Sequence, residues 1–237
     1  GIYILLKEVL DNSIDEFIMG NGDRIDALLK DNKVTVRDYG RGIPLGKVVE
    51  CVSVINTGAK YNDEVFQFSV GLNGVGTKAV NALSEYFRVV SVRDGKYAEA
   101  VFERGVLKHE KQGDAKKGIK NGTLVEFIPD REIFGDYTFN LDFIEKRMWN
   151  YAYLNAGLTL TFNGASYISE NGLLDLLNAE IGEETLYTIA HFKEAKLEFA
   201  FTHTNNYGET YFSFVNGQYT SDGGTHLSAF KEGLLKG

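Results

Sequence analysis

The segment from Glu8 to Glu16 combines side chains that could do chemistry with phosphates. At ~100° per residue on a helix, Glu8, Asn12 and Asp15 fall on one face. The opposite face carries the apolar residues Leu6, Leu10 and Phe17. Since no Lys or Arg occurs from Glu8 to Glu16, the pattern predicts that an external cation compensates the acidic side chains. Mg²⁺ prefers oxygen ligands such as the carbonyl of Asn12. An ordinary solvated acidic face is the alternative.

A second candidate is the loop Asp38-Tyr39-Gly40-Arg41-Gly42-Ile43-Pro44, which follows a predicted strand. Two glycines spaced two apart let the backbone approach a ligand without a Cβ in the way. An acid at the end of the strand can accept a hydrogen bond from an exocyclic amine, such as that of adenine. A plain exit from a hairpin is the alternative.

A third candidate is Gly71-Leu72-Asn73-Gly74-Val75-Gly76-Thr77, directly before a predicted helix over residues 78–86. Glycines at a helix start expose backbone N–H groups that attract phosphates. A Rossmann loop would follow the first strand at once, and a Walker A loop would read Gly-Lys-Ser/Thr, so both are excluded. The preceding segment 57–76 has little periodicity and is predicted to be a lid or binding loop. Lys60 within it could reach a phosphate or simply be solvated.

The remaining pattern predicts a helix, a hairpin, a second helix and then a run of strands. The helices are predicted at 3–17, 46–56 and 140–155, the last with Phe143, Met148, Tyr151 and Leu154 as its buried stripe. The first hairpin covers 24–29 and 34–38. An antiparallel meander is predicted from strands at 88–92, 97–103, 106–111 and 123–128. Gly122 and Thr123 open its last strand, where the threonine hydroxyl could meet a base edge. A hairpin at 158–162 and 165–168 turns at Asn163-Gly164.

The organisation changes near residue 170, where we place a domain boundary between 1–170 and 171–237. A short helix at 173–178, strands at 186–192, 196–203 and 210–215, and a final helix after Asp222-Gly223-Gly224-Thr225-His226 are predicted beyond it. The first helix lacks a capping residue and the last element has no closing strand. We therefore expect a fragment of a longer protein, with a truncated second domain.

Composition limits the function classes. A net charge of −8 argues against a major nucleic-acid-binding surface on these 237 residues. Cys51 is the only cysteine, which excludes an internal disulfide framework and a cysteine metal cluster. No apolar run approaches the ~20 residues that span a bilayer. We expect a soluble, cytoplasmic protein.

Together, Glu8-x-x-x-Asn12-x-x-Asp15, Asp38-x-Gly40-x-Gly42, Gly71-x-x-Gly74-x-Gly76 and Gly122-Thr123 resemble, in order and spacing, the nucleotide motifs of the GHKL (Bergerat-fold) ATPases. With Val80-Asn81-Ala82-Leu83-Ser84 and the Asp-Gly-Gly-Thr-His segment, the chain is most similar to the ATPase (B) subunits of bacterial type IIA DNA topoisomerases. The resemblance implies an α+β fold, an α/β sandwich whose mostly antiparallel sheet is covered by helices on one face. The start of a second, α/β transducer domain would follow.

The resemblance also implies ATP and Mg²⁺ as cofactors and a role for each motif residue. Glu8 would be the general base that orients water, and Asn12 the Mg²⁺ ligand. Asp38 would read adenine, with Gly42 and Thr123 around the base. The phosphate contacts would be Lys60, Gly71, Leu72, Asn73, Gly74, Val75, Gly76 and Thr77. An ion pair of Glu16 and Arg41, with Ile43 and Pro44, would flank the adenine pocket, where aminocoumarin inhibitors of the family bind.

Two departures favour the topoisomerase IV type over gyrase. Asn73 stands where gyrase sequences commonly have His, and no insertion occurs between Pro44 and Val48. The implied function is an ATP-driven dimer clamp that powers DNA strand passage, with DNA, a DNA-cleaving A subunit and a second B subunit as partners at the nucleoid. We expect these 237 residues alone to hydrolyse ATP weakly and to be monomeric. A gyrase B subunit, a histidine-kinase-like domain, a chaperone or mismatch-repair clamp, and an inactive nucleotide sensor are the alternatives.

Overall fold

A computed structural model describes residues 1–54, 75–182 and 185–236. The chain forms two compact units, Gly1–Gly172 and Leu173–Gly237. The domain boundary that the sequence predicts near residue 170 stays a prediction. Within the described parts of the chain, no helix is long and apolar enough to cross a membrane.

The first unit is built on an eight-stranded sheet. Its strands are β1 (Arg24–Lys30), β2 (Lys33–Asp38), β3 (Ser84–Arg93), β4 (Lys96–Glu103), β5 (Val106–Asp114), β6 (Gly122–Pro129), β7 (Thr159–Phe162) and β8 (Ala165–Tyr167). They lie in the order β5-β4-β3-β6-β2-β1-β7-β8. Every neighbouring pair is antiparallel except β1 with β7. The predicted α+β class with a mostly antiparallel sheet is confirmed.

Helices pack on the buried face of this sheet. They are α1 (Ile2–Ile18), α2 (Val48–Ser53), α3 (Gly76–Ala82), α4 (Arg131–Phe134) and α5 (Leu141–Leu154). Among the described residues, an apolar core joins α1 to alternate residues of the strands, for example Leu10 and Ile14 to Val34 and Val36. Alternation puts these strand residues on one face because successive side chains of a strand point to opposite sides.

The predicted meander is wrong in its strand order. β6 pairs with β3 and β2 instead of following β5 at the edge of the sheet. The burial of the two strands gives the reason. All nine residues of β5 are exposed, whereas Val125 and Phe127 of β6 are buried. An apolar face belongs in the centre of a sheet and a polar strand at its edge.

Two predicted helices differ from those observed. The helix predicted at 78–86 ends at Ala82, and Ser84 already belongs to β3, where it pairs with Pro129. In α5 the buried residues are Ile144, Met148, Tyr151 and Ala152. Phe143, which the sequence predicts to be buried, is 44% exposed, because its ring packs on the side chain of Tyr3 at the surface. Leu154, also predicted to be buried, is half-buried.

The helix predicted at 46–56 is shorter than expected. A 3₁₀ turn over Leu45–Lys47 leads into α2, and Val54 after it is extended. The hairpin predicted at Asn163-Gly164 is confirmed. Asn163 has φ 48° and Gly164 has φ 87°, as a type I′ turn requires.

In the second unit, residues 173–182 and 185–236 are described, and they form two short helices and two small hairpins. They are α6 (Leu173–Ile181), β9 (Ala190–Glu194), β10 (Leu197–Phe201), β11 (Phe214–Val215), β12 (Gln218–Tyr219) and α7 (Thr225–Lys236). β9 pairs with β10 and β11 with β12, both antiparallel. The strand predicted at 210–215 is reduced to its last two residues, and no sequence pattern indicated β12. At the start of α7, the ring Nε2 of His226 lies 2.5 Å from the hydroxyl oxygen of Ser213.

Candidate functional site

Glu8 on α1 lies against the first turn of α3. A Cβ added to Gly76 would be 2.0 Å from Glu8 Oε2, so only glycine leaves room for the carboxylate in this position. Burial raises the pKa of Glu8, and the neighbouring Lys7 partly opposes this. A half-buried carboxylate with a raised pKa is a suitable group to orient a water molecule and accept a proton.

Asn12, one turn further along α1, ties the two helices together. Its amide Nδ2 donates to the Glu8 carbonyl oxygen and to Thr77 Oγ1, both at 2.8 Å. These bonds fix the amide, and therefore the direction of Oδ1, the atom that could bind a metal ion. Among the described residues, no group of three His, Cys, Asp or Glu side chains could hold a metal ion. A metal at this place would need ligands from a bound molecule in addition to Asn12.

Asp38, the last residue of β2, is only 5% exposed, and hydrogen bonds hold its carboxylate in one orientation. Its Oδ1 accepts the backbone N–H groups of Gly40 at 2.9 Å and Thr123 at 3.1 Å. The hydroxyl oxygen of Ser13 on α1 lies 3.5 Å from Asp38 Oδ2. Burial raises the pKa of Asp38, and the two N–H donors act in the opposite direction. Thr123 thus contacts Asp38 through its backbone N–H. The sequence-based expectation that the Thr123 hydroxyl meets a base edge stays a prediction.

Arg41 and Glu16 form the ion pair that the resemblance implied. Arg41 Nη2 lies 2.9 Å from Glu16 Oε1, and both its Nε and its backbone N–H donate to Oε2 at 3.1 Å. Gly40 permits this approach, since a Cβ there would be 2.8 Å from the Glu16 side chain. The loop after β2 is thus fastened to the C-terminal half of α1.

Gly42 and Ile43 lie beside the end of β3, and Pro44 directly precedes the 3₁₀ turn at Leu45–Lys47. Gly42 has φ 75°, and a Cβ there would be 2.7 Å from the Val92 carbonyl oxygen. The Ser91 hydroxyl donates to the Ile43 carbonyl oxygen at 2.6 Å. Because Ser91 pairs with Thr123 in the sheet, this part of the loop lies close to the start of β6.

The third motif is described only in part. Lys60, Gly71, Leu72, Asn73 and Gly74 lie outside the described residues. Val75 is exposed, and its carbonyl oxygen accepts the Ala79 N–H at 2.9 Å as the first bond of α3. The structure thus brings Gly76 and Thr77 to Glu8 and Asn12.

The sequence missed a buried network beneath the acidic helix. Asp11 is 1% exposed and accepts hydrogen bonds from Lys7 Nζ at 2.6 Å and from the Tyr151 hydroxyl at 2.9 Å. The prediction that an external cation compensates these acidic side chains is therefore wrong for Asp11, because the ammonium group of Lys7, directly before the segment, pairs with it. The i,i+4 spacing of Lys7 and Asp11 was a usable signal, whereas nothing in the sequence pointed to Tyr151.

Comparison with known proteins places this site in a class. The family model of histidine kinase-, DNA gyrase B- and HSP90-like ATPases matches residues 1–132. The chain belongs to this family, and its first unit is an ATP-binding domain of that kind. A second model, DNA gyrase B, matches residues 166–237.

Within the family, the chain is similar to the B subunits of bacterial topoisomerases. It is 60% identical to the B subunit of DNA topoisomerase 4 from Borreliella burgdorferi over 100% of its own length and 39% of that protein. It is 38% identical to the B subunit of DNA gyrase from Thermus thermophilus over 98% of its length and 40% of that protein. The resemblance found in the sequence is confirmed, and the identities favour the topoisomerase IV type.

Solved structures agree with this assignment. The 43K ATPase domain of Thermus thermophilus gyrase B, in complex with an aminocoumarin, superposes with a TM-score of 0.75 at 35% identity. The match covers 96% of this chain and 64% of that one. The Francisella tularensis topoisomerase IV ATP-binding domain, in complex with a small-molecule inhibitor, gives a TM-score of 0.77 at 25% identity and covers 98% of this chain and 66% of that one. The chain spans about two fifths of the length of the curated relatives it matches.

Proposed function

We propose that the chain binds ATP between α1, the loop after β2 and the start of α3, and that it hydrolyses ATP to ADP, releasing the γ-phosphate. The observation that carries this proposal is the position of α1. Ser13 of α1 lies at Asp38, and the adjacent Asn12 binds Thr77 of α3. One helix therefore joins an acid suited to an adenine amine with a helix start suited to phosphates.

At the phosphate end, Glu8 orients and deprotonates the attacking water. Gly76 leaves room for the Glu8 carboxylate because it lacks a side chain, and Asn12 donates a hydrogen bond to the Thr77 hydroxyl. Lys60 and the residues from Gly71 to Val75 complete the phosphate lid in this proposal. Asn12 is the protein ligand of Mg²⁺, with the remaining ligands coming from the nucleotide and water. The ion would neutralise charge on the phosphates.

At the adenine end, Asp38 accepts a hydrogen bond from the exocyclic amine of the base. The backbone N–H groups of Gly40 and Thr123 fix its carboxylate for this purpose. Gly42 leaves room for the ring, and Ile43 and Pro44 line its edge with the Glu16–Arg41 ion pair. An inhibitor that competes with adenine would meet these same residues.

For the protein to which this chain corresponds, we propose the B subunit of a type IIA topoisomerase of the topoisomerase IV type. The first unit would be its ATPase domain and the second the start of its transducer domain. ATP would close a dimer of two B subunits, and an A subunit would cleave the DNA that is passed. We place this enzyme in the cytoplasm, at the nucleoid. The identity of 60% to the B subunit of a topoisomerase 4 supports this.

The variant Glu8→Gln tests the chemical assignment. Its amide keeps the size of the side chain but is a far weaker base. We expect binding of a non-hydrolysable ATP analogue to change less than about threefold and single-turnover hydrolysis to fall about 10²- to 10⁴-fold. Glu50→Gln, whose side chain lies beside Lys47 and is 39% exposed, is the matched control and should hydrolyse like the wild type. Unchanged hydrolysis in Glu8→Gln would exclude Glu8 as the base.

The biological assignment is tested by assaying DNA decatenation and supercoiling. The assay uses a protein extended to the full length of its relatives, together with its A subunit. Decatenation of linked DNA circles with little negative supercoiling is expected for a topoisomerase IV type enzyme. Efficient ATP-dependent negative supercoiling would identify a gyrase instead. Phosphate transfer to a protein histidine would place the chain among the kinases.

A further inference from the structure

The two neighbours of Asp38 in the sequence face away from the nucleotide site. Val34, Val36 and Asp38 of β2 are buried on the helix-covered side, so Arg37 points to the opposite face of the sheet. Tyr39 lies on that face as well, with the Arg37 guanidinium 5.0 Å from its ring centroid. Asp38 is therefore bordered on both sides by side chains that stand on the far face of the sheet.

Arg37 holds the chain that leads into β6. Its Nη2 donates to the carbonyl oxygens of Lys120 at 2.7 Å and Asn121 at 3.3 Å. The next residue, Gly122, has φ 133°, and a Cβ there would be 2.7 Å from Arg37 Nη1 and 2.2 Å from the Asp38 carbonyl oxygen. The backbone thus passes directly over both groups, and Thr123 follows with its N–H on Asp38.

Tyr39, which follows Asp38, is linked to the neighbouring strand β1. Its hydroxyl donates to Asp26 Oδ2 on β1 at 2.7 Å. Asp26 Oδ1 in turn accepts from Thr161 on β7 at 2.7 Å and from Arg24 at 2.9 Å. Three strands and the loop before β6 are therefore linked through side chains on the face of the sheet away from the site.

We propose that Arg37 is a positioning residue for the adenine end of the site, acting from the opposite face of the sheet. It fixes the Lys120–Asn121 backbone, which sets Thr123 N–H against Asp38 Oδ1. Loss of Arg37 lets this N–H move, and the Asp38 carboxylate then loses one of its two backbone donors. The inference rests on the proposed binding of ATP.

The effect of Arg37 should be confined to the adenine end. Arg37 binds the loop before β6. At the phosphate end, Asn12 bonds the Glu8 carbonyl oxygen and the Thr77 hydroxyl, and the Glu8 carboxylate lies against Gly76, so none of these contacts involves that loop. Its loss should therefore weaken ADP and a non-hydrolysable ATP analogue by the same factor. A residue that merely supported folding would lower the fraction of active protein and leave the Kd of that fraction unchanged.

Titration calorimetry of Arg37→Met with both nucleotides is the experiment, with stoichiometry fitted separately from Kd. We expect both Kd values to rise about tenfold, equivalent to about 1.4 kcal/mol. Arg37→Lys keeps the charge but not the planar fork of donors, and should recover only part of the affinity. Lys33→Met removes a cation from the same face of the same strand, with Glu126 as partner at 3.6 Å, and should leave both Kd values within about twofold.

Amide hydrogen exchange without nucleotide gives a second, independent readout. The Thr123 N–H should exchange about tenfold faster in Arg37→Met than in Lys33→Met. Unchanged Kd values with wild-type exchange at Thr123 would overturn the inference and leave ATP binding intact. A loss limited to the ATP analogue would also overturn it, since the effect would then lie at the phosphates. Failure of the wild type to bind either nucleotide would instead contradict the proposed function.

Discussion

At the scale of single residues, the site depends on carboxylates that the fold places where water is scarce. Asp38 and Asp11 are 5% and 1% exposed, and burial raises the pKa of each. A buried carboxylate costs stability unless hydrogen bonds compensate it. Both residues receive such bonds, but only Asp38 lies beside the glycine-rich loop that could admit a base.

The variant Asp38→Asn tests whether this acid is kept for binding at the expense of stability. Because the pKa of Asp38 is raised in the folded protein, the folded state holds the proton more tightly than the unfolded state does. The contribution of Asp38 to stability therefore falls as the pH rises above 3.8, its ordinary value. We expect the amide oxygen of the variant to accept the same two N–H groups, and the variant to be more stable than the wild type by about 1 kcal/mol at pH 7.

Urea unfolding of Asp38→Asn and wild type from pH 4 to 8 measures this, and the advantage of the variant should grow with pH. Its affinity for ADP should fall about tenfold to hundredfold, because the amide offers a donor where the adenine amine needs an acceptor. A variant that is less stable than the wild type at pH 7, or that binds ADP equally well, would contradict the assignment.

The variant Gly76→Ala tests the position of Glu8. Its Cβ would be 2.0 Å from Glu8 Oε2, so the carboxylate must move. A displacement of about 1 Å can cost about 10² in rate, and we expect single-turnover hydrolysis to fall by that order while ADP binding changes less than about threefold. Gly46→Ala, with no atom within 4 Å of the added Cβ, is the control and should behave as the wild type. Equal hydrolysis by both variants would contradict the site geometry.

The residue types of the site were predictable, but their supporting contacts were not. Glu8, Asn12 and Asp38 could be chosen because their spacing on a helix and at a strand end is local information. Tyr151 reaches Asp11 from 140 positions away, and Thr123 reaches Asp38 from 85 positions away, so these contacts depend on the strand order and helix packing. Arg37 was passed over because a lone arginine on a strand gives no signal without the loop it binds.

At the scale of elements, hairpins followed from local signals and the central crossover did not. The Asn163-Gly164 turn determines its hairpin by itself, since both residues have positive φ. The position of β6 between β3 and β2 depends on which strands are apolar enough for the centre of the sheet. The burial of each strand, seen only in the structure, shows that β6 is such a strand and β5 is not. The end of α3 was also missed, because the apolar pattern around residues 84–86 is compatible with either a helix or a strand.

Side chains on the exposed face join the strands that this crossover brings together. Arg88 of β3 donates to Glu99 of β4 at 2.7 Å and to Glu126 of β6 at 2.8 Å. Lys111 of β5 lies 3.3 Å from Glu99, and Lys33 of β2 lies 3.6 Å from Glu126. Charges of alternating sign therefore run across five adjacent strands. Although burial alone would lower the pKa of Arg88, its bonds with the two glutamates raise it.

The variant Arg88→Met should destabilise the first unit by about 2 kcal/mol, because Glu99 and Glu126 are left as neighbouring, partly buried charges. Arg88 itself is 30% exposed, so the loss is smaller than for a fully buried ion pair. Lys33→Met removes a terminal charge that is 42% exposed and should cost less than about 1 kcal/mol. Urea unfolding at low and high salt measures both. Equal effects of the two variants would mean that this row of charges contributes little.

At the scale of the whole molecule, the two units have different characters. The first has a continuous apolar core, and the ATPase family model covers most of it. The second has short strands and apolar side chains at its surface, for example Leu186, Leu197 and Leu235 at 58%, 56% and 88% exposure. Both of its helices were predicted, although α6 continues to Ile181 beyond the predicted end at residue 178 and α7 already begins at Thr225. Its strands were predicted poorly, since they are only two to five residues long. The residues proposed to bind ATP all belong to the first unit.

Calorimetric titration with a non-hydrolysable ATP analogue and Mg²⁺ tests the central claim most directly, for wild type, Asp38→Ala and Asn12→Ala. We predict that the wild type binds one analogue per chain and that Asp38→Ala does not bind measurably. Asn12→Ala should lose mainly the part of the affinity that depends on Mg²⁺, as a repeat of the titration in EDTA would reveal. Absence of binding by the wild type, or wild-type affinity in Asp38→Ala, would contradict the proposed nucleotide site.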